Sequence, residues 1–181
     1  MERSKIEGFA KKARNLLKAQ IATRVELLRK SDSSSIVIEN RKAMDTLEKK
    51  ISEQGLESVI DEVAYTWFNR LCALRYMDAH GFNRPLVVTP LKGNVLPEIL
   101  SDAIVENLNT EILTKANEDR INKLLNGEIP SNNAQGEIYR ILLVSKCNAL
   151  NKEIPILFER ISDYTDLLLP EDLLSDRKSV V

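Results

Sequence analysis

A chain of 181 residues with 43% hydrophobic and 29% charged residues, and only six Gly and six Pro, fits one compact domain. That composition excludes a disordered, collagen-like or low-complexity polypeptide. No apolar run approaches the ~18 residues of a membrane-crossing helix, and no secretion signal is evident, so no membrane association is expected and the cytoplasm is the expected compartment. Cys72 and Cys147 are too few and too far apart for a disulfide framework or a Cys-x-x-Cys zinc site. The net charge of −1 hides an asymmetry: residues 1–30 hold nine Lys/Arg against three Glu, while 151–181 hold four against seven Asp/Glu. A basic first segment points to an anionic partner or to charge pairing within the domain.

Residues 4–30 read as an amphipathic helix. Ile6, Phe9, Ala13, Leu17, Ile21 and Leu28 fall on one side, and Lys11, Arg14, Lys18 and Arg29 on the other. Arg24 lands among the apolar positions, so it needs a carboxylate or a bend there. The serine-rich stretch 31–35 reads as a loop, and Ile36-Val37-Ile38 as a short edge strand. A second helix fits 41–53, with Met44, Leu47 and Ile51 inward and Gly55 past its end. Residues 56–80 form a helix with little polar face, which places it at the centre of the fold. Five of the nine aromatic residues lie between Tyr65 and Phe82. Gly81 suits a left-handed cap closed by Phe82, and His80 faces the carbonyl end of the helix. Pro85 and Pro90 bracket the extended Leu86-Val87-Val88. Further helices fit 97–108, opened by Pro97, then 117–126, stopped by Gly127, and 134–150, a second heavily apolar one. Asp163-Tyr164-Thr165-Asp166 resembles a cap opening a short turn that Pro170 ends. The expected fold is mostly α: a multi-helix, bundle-like domain with at most one short β ribbon, 36–38 paired with 86–88. Residues 1–175 form the domain, and 176–181 the start of a next element or a tail.

Catalytic chemistry finds little support. The glycines at 8, 55, 81, 93, 127 and 136 provide no G-x-G turn and no P-loop. His80 is the only histidine, so neither a Cys–His nucleophile nor a histidine-based zinc site can be assembled around it. Cys72 is expected to be buried and structural. Asp32 followed by Glu48-Lys49-Lys50 matches the order of an Mg²⁺-dependent nuclease. That chemistry uses a strand, where i and i+2 share a face; on a helix Glu48 and Lys50 stand about 200° apart. The nuclease is therefore a remote alternative to an ordinary charged helix. Lys11, Arg14, Lys18 and Arg29 remain as a stripe able to neutralise DNA phosphates without reading sequence. No aromatic side chain interleaves them, which disfavours single-strand stacking.

Two blocks carry a resemblance. The first is Glu62-Val63-Ala64-Tyr65-Thr66-Trp67-Phe68-Asn69-Arg70-Leu71-Cys72-Ala73-Leu74-Arg75-Tyr76-Met77-Asp78-Ala79-His80-Gly81. The second runs from Cys147-Asn148-Ala149-Leu150 through Ile154-Pro155-Ile156-Leu157-Phe158-Glu159-Arg160-Ile161 to Asp163-Tyr164-Thr165-Asp166-Leu167-Leu168-Leu169-Pro170. Together they resemble the N-terminal region of the PglX-type adenine-specific DNA methyltransferases of BREX phage-defence systems. The resemblance implies a large enzyme that methylates adenine N6 with S-adenosylmethionine, through a glycine-containing cofactor turn and an Asn-Pro-Pro-Tyr-like loop. This chain has no G-x-G and no adjacent prolines, so no catalytic, cofactor or metal residue carries over. The resemblance implies a helical non-catalytic module that packs on the catalytic domain of the same polypeptide and assists DNA or defence-partner binding. A stand-alone adaptor or regulator is the alternative. Tyr65, Trp67 and Phe68 are expected in the core. Asn69, Arg70 and Arg75 are expected to be paired if buried, Arg75 with Asp78 three residues on, or else to form a surface reaching the catalytic domain or DNA.

Overall fold

A computed structural model describes residues 3–30, 35–159 and 164–174 of the chain. It consists of α1 (Arg3–Lys30), α2 (Ser35–Glu39), α3 (Arg41–Gln54), α4 (Leu56–Ala79), α5 (Glu98–Ile104), α6 (Lys115–Leu125), α7 (Ala134–Leu150), α8 (Tyr164–Leu167) and a 3₁₀ turn at Glu171–Leu174. The mostly-α fold read from periodicity is the fold observed. The ribbon is not: among the described residues the β pairing is an isolated bridge between Pro90 and Pro97. The cap at Asp163, the tail 176–181 and Asp32 lie outside the described residues. Two compact units share the chain, one made of 3–30, 35–69 and 164–170, the other of 70–159 and 171–174. The boundary falls within α4.

In the first unit α1 buries Ala13, Leu17, Ile21, Val25 and Leu28, one face of a 3.6-residue period. Ile6 and Phe9, expected on that face, are 50% and 45% exposed, because the buried stripe starts only at Ala13. Ile36-Val37-Ile38 lies in α2 and not in a strand. β propensity is a preference for a half-buried pleated surface, and here Val37 finds its burial as a helix residue, with α2 packed on α3. Met44 and Leu47 of α3 and Val59, Val63, Ala64 and Trp67 of α4 complete this core. Arg24 finds a carbonyl: its Nε donates to the oxygen of Leu167 at 3.4 Å. Trp67 Nε1 donates to the carbonyl of Thr165 at 2.9 Å. These two bonds hang α8 on the helices beside it. Tyr65, expected in the core, is 58% exposed, since two residues before Trp67 is the opposite side of a helix.

In the second unit α7 is the axis. Ten of its 17 residues are buried, and α5, α6 and the 3₁₀ turn pack against it. Ile99, Leu100 and Ala103 of α5, Ile121 and Leu124 of α6, and Ile138 and Leu142 of α7 form the centre of that core. Thr114 caps α6 by accepting from the Asn117 amide, and Asn133 caps α7 by accepting from Gly136. α4 ends in the anticipated cap. Gly81 has φ +72°, its N–H donates to the Asp78 carbonyl at 3.2 Å, and the Phe82 N–H donates to Met77 at 2.9 Å. α5 stops at Ile104, earlier than the 108 expected. There Glu106 takes the left-handed conformation, φ 61°, and the Asn107 N–H returns to the Asp102 carbonyl, the same cap without its usual glycine.

Candidate functional site

The α1 cations come first. Lys11, Lys18 and Arg29 share one side of the helix, seven and eleven residues apart, with Arg14 at its edge. Lys11 is exposed. The Arg14 guanidinium lies 5.8 Å from the centroid of the Phe68 ring, within cation–π range. Lys18 pairs with Asp61. Arg29 pairs with Glu48, Nε to Oε1 at 2.9 Å. Both ion pairs are roughly half exposed, and such pairs contribute at most about 1 kcal/mol. Exchanging either carboxylate for a phosphate is therefore inexpensive. The Arg29–Glu48 pair also engages the one nuclease-pattern carboxylate that can be placed. Glu48 and Lys50 sit on helix α3 and not on a strand, and no three His, Cys, Asp or Glu side chains among the described residues converge as metal ligands.

The α4 polar residues separate. Asn69 is half-buried, in the first unit. Arg70 is buried and donates from Nη2 to the Glu159 carbonyl at 2.9 Å. Arg75 is exposed and donates to the hydroxyl of Thr89, not to Asp78. Asp78 is buried and belongs to the loop that follows. Its Oδ1 accepts from Asn83 Nδ2 at 2.8 Å and from the Val87 amide at 3.0 Å, and its Oδ2 accepts from the Val88 amide at 2.9 Å. Glu98 accepts from the Leu86 amide at 2.7 Å. Carboxylates thus take the N–H groups that a partner strand would have taken, which is why 86–88 forms no ribbon. The loop carbonyls are used as well. Leu86 and Thr89 accept from the Ile99 and Glu98 amides at the start of α5, and Val87 accepts from the Tyr139 hydroxyl.

A surface not anticipated from the sequence lies at the end of α4. Ala73, Tyr76 and Met77, Phe82 past the cap, and Glu153, Ile154 and Leu157 beyond α7 line a groove of about 630 Å³. Tyr76 and Phe82 are 59% and 66% exposed. The His80 ring stacks on both, with centroids 4.0 Å from Tyr76 and 6.0 Å from Phe82. Its Nδ1 lies 2.8 Å from the Tyr76 carbonyl, as its place in the last turn led one to expect. The signal was the i, i+4 spacing of Tyr76 and His80, which falls on the side of α4 opposite the buried Leu74 and Asp78.

The two thiols differ. Cys72, expected to be buried, is exposed, with its thiol raised by partial burial. Cys147 is buried, and burial pushes its thiol up to about 12 against the opposing pull of Arg70 and Lys146. Iodoacetamide should therefore alkylate Cys72 in the folded protein and Cys147 only on unfolding, as peptide mass mapping would show; early labelling of Cys147 would contradict its burial. The folded-state rise stabilises below the ordinary thiol value of 9.0, and that contribution is lost as pH climbs from there toward 12.

An α-helical domain with this patterning is related in sequence to the adenine-specific methyltransferases of the PglX type, which bears out the resemblance carried by the two blocks. It is 36% identical over 137 residues to the adenine-specific methyltransferase BrxX of Escherichia coli O9:H4 (strain HS), a match covering 71% of this chain and 10% of that protein. It is 34% identical over 117 residues to the adenine-specific methyltransferase PglX of Lacticaseibacillus casei (strain Zhang), covering 63% of this chain and 10% of that protein. The chain thus spans about a tenth of the length of these curated relatives. No protein-family profile matches it. No helix among the described residues is long and apolar enough to cross a membrane.

Proposed function

We propose that this chain is a helical, non-catalytic N-terminal module of a DNA adenine-N6 methyltransferase of a phage-defence system. It packs on the catalytic domain of the same polypeptide and lends the α1 cations to the DNA backbone. The similarity to two adenine-specific methyltransferases over most of this chain carries the reading. S-adenosylmethionine and the flipped adenine belong to the remainder of such an enzyme, since this chain has no glycine-rich cofactor turn. The face of Lys11, Lys18 and Arg29 supplies sequence-blind contacts that fix register on the duplex.

Lys11→Ala with Lys18→Ala in the full-length enzyme tests the DNA role. Lys11 is exposed and Lys18 loses only a half-exposed ion pair with Asp61, so folding stays intact. The slope of log affinity against log salt should become shallower by roughly 2, at about 0.9 for each phosphate no longer neutralised. An unchanged slope would remove α1 from the DNA interface. The module reading is checked separately. The full-length enzyme should methylate adenine with S-adenosylmethionine while residues 1–181 alone do not, and methylation by the isolated chain would sink it.

A further inference from the structure

The groove at the end of α4 is an apolar surface with a charge preference. Met77, Ile154 and Leu157 give it an apolar floor, and Ile156, between Ile154 and Leu157 in the sequence, is 94% exposed. Apolar side chains presented together in this way mark a contact surface. Its volume falls within the roughly 300–1,000 Å³ of ligand-binding clefts. Among the described residues, Glu153 is the one charged residue in its lining. The exposed rings of Tyr76 and Phe82 add to that sign, because aromatic faces attract cations and repel anions. A phosphodiester would sit against a carboxylate and two ring faces, all unfavourable to it. An arginine or lysine side chain meets favourable interactions with all three.

We propose that this groove binds a segment of a separate partner protein that presents arginine or lysine among apolar side chains. The apolar side chains of the partner fill the floor, and its cation lies over Tyr76 or Phe82 within reach of Glu153. This surface is distinct from the α1 cations, so the two functions are separable by mutation.

The probe is a short leucine–arginine peptide, with a leucine–glutamate peptide and a deoxyadenosine oligonucleotide of equal length as comparisons. Binding is followed by amide chemical-shift mapping on this chain and by calorimetry. The arginine peptide should bind and shift the amides of Tyr76, Phe82, Ile154 and Leu157, while the glutamate peptide should not. Glu153→Lys should weaken the arginine peptide by about tenfold or more, since a charge at contact distance changes from attractive to repulsive. Phe82→Ser should weaken the arginine peptide as well. Both positions are exposed, and an otherwise unchanged amide spectrum confirms the fold. Equal binding of the two peptides, no binding, or indifference to Glu153→Lys would overturn the proposal. So would oligonucleotide binding at these amides. Self-association abolished by Glu153→Lys would make a second copy of this chain the occupant, and would overturn it too.

Discussion

Asp78→Ala should cost about 3–5 kcal/mol and lower the melting temperature by about 10 °C. Asp78 is 6% exposed, and its carboxylate accepts from the Asn83 side chain and from the Val87 and Val88 amides. Each buried donor left without an acceptor costs about 1–3 kcal/mol, and a domain of this size loses roughly 2–4 °C per kcal/mol. The damage should spread along the loop, because Leu86 and Thr89 cap α5 and Val87 receives the Tyr139 hydroxyl. Asp78→Asn separates charge from shape. An amide oxygen at Oδ1 can keep the Asn83 and Val87 bonds, but its NH₂ would face the Val88 N–H, so about half of the loss is expected. Thermal melts by circular dichroism and hydrogen exchange at Val87 and Val88 read both. A shift below about 2 °C for Asp78→Ala, with those amides still protected, would show that the carboxylate does not hold the loop.

The sequence carried Asp78 in plain view but not its role. Spacing on a helix suggested Arg75 as its partner. Burial decided otherwise. Asp78 faces inward with several N–H groups aimed at it, while Arg75 lies outward against Thr89. The N–H donors of a loop up to ten residues on are not visible in a helical period. Long, strongly periodic stretches were legible: 41–53 against Arg41–Gln54, 56–80 against Leu56–Ala79, and 134–150 against Ala134–Leu150. Each is bounded by a glycine, a proline or a change of polarity. α5 overran because a glutamate, Glu106, sits where the left-handed turn calls for glycine, so no stop signal is written there. α2 was misread because three β-branched residues outweigh nothing once one of them, Val37, is buried against α3.

The candidate surfaces show the same division. The α1 cations were legible as a stripe, since net charge and helical period are both sequence properties. Their engagement with Asp61, Glu48 and the Phe68 ring was not, since it depends on which helices meet. The α4 groove was obscured by expecting an apolar helix to be buried on all sides. α4 instead buries a stripe from Val59 through Trp67 and Leu74 to Asp78, and leaves Tyr65, Cys72 and Tyr76 outside. An aromatic residue offers a large contact area, whether that contact is with the core or with a partner.

Trp67→Ala is expected to cost about 3–5 kcal/mol, the range for deleting a fully buried large aromatic side chain. Trp67 is completely buried among the first unit's helices, and its indole N–H holds the Thr165 carbonyl. The loss should therefore begin at α8, which is also tethered by the Arg24–Leu167 bond at 3.4 Å and the Tyr164–Glu62 bond at 3.4 Å. Trp67→Phe keeps most of the apolar volume and removes only the donor, so about 1 kcal/mol is expected. The two variants distinguish packing from anchoring. In Trp67→Phe the Leu168 and Leu169 amides, which close the turn after α8, should exchange faster while α1 and α3 amides hold their protection. In Trp67→Ala protection should fall across the whole first unit. Because Trp67 is the only tryptophan, wild-type fluorescence reports the same unit directly. If Trp67→Ala melts within about 2 °C of wild type, the indole is not the keystone of this core. If Trp67→Phe leaves Leu168 and Leu169 unchanged, α8 is held by packing and not by the indole hydrogen bond.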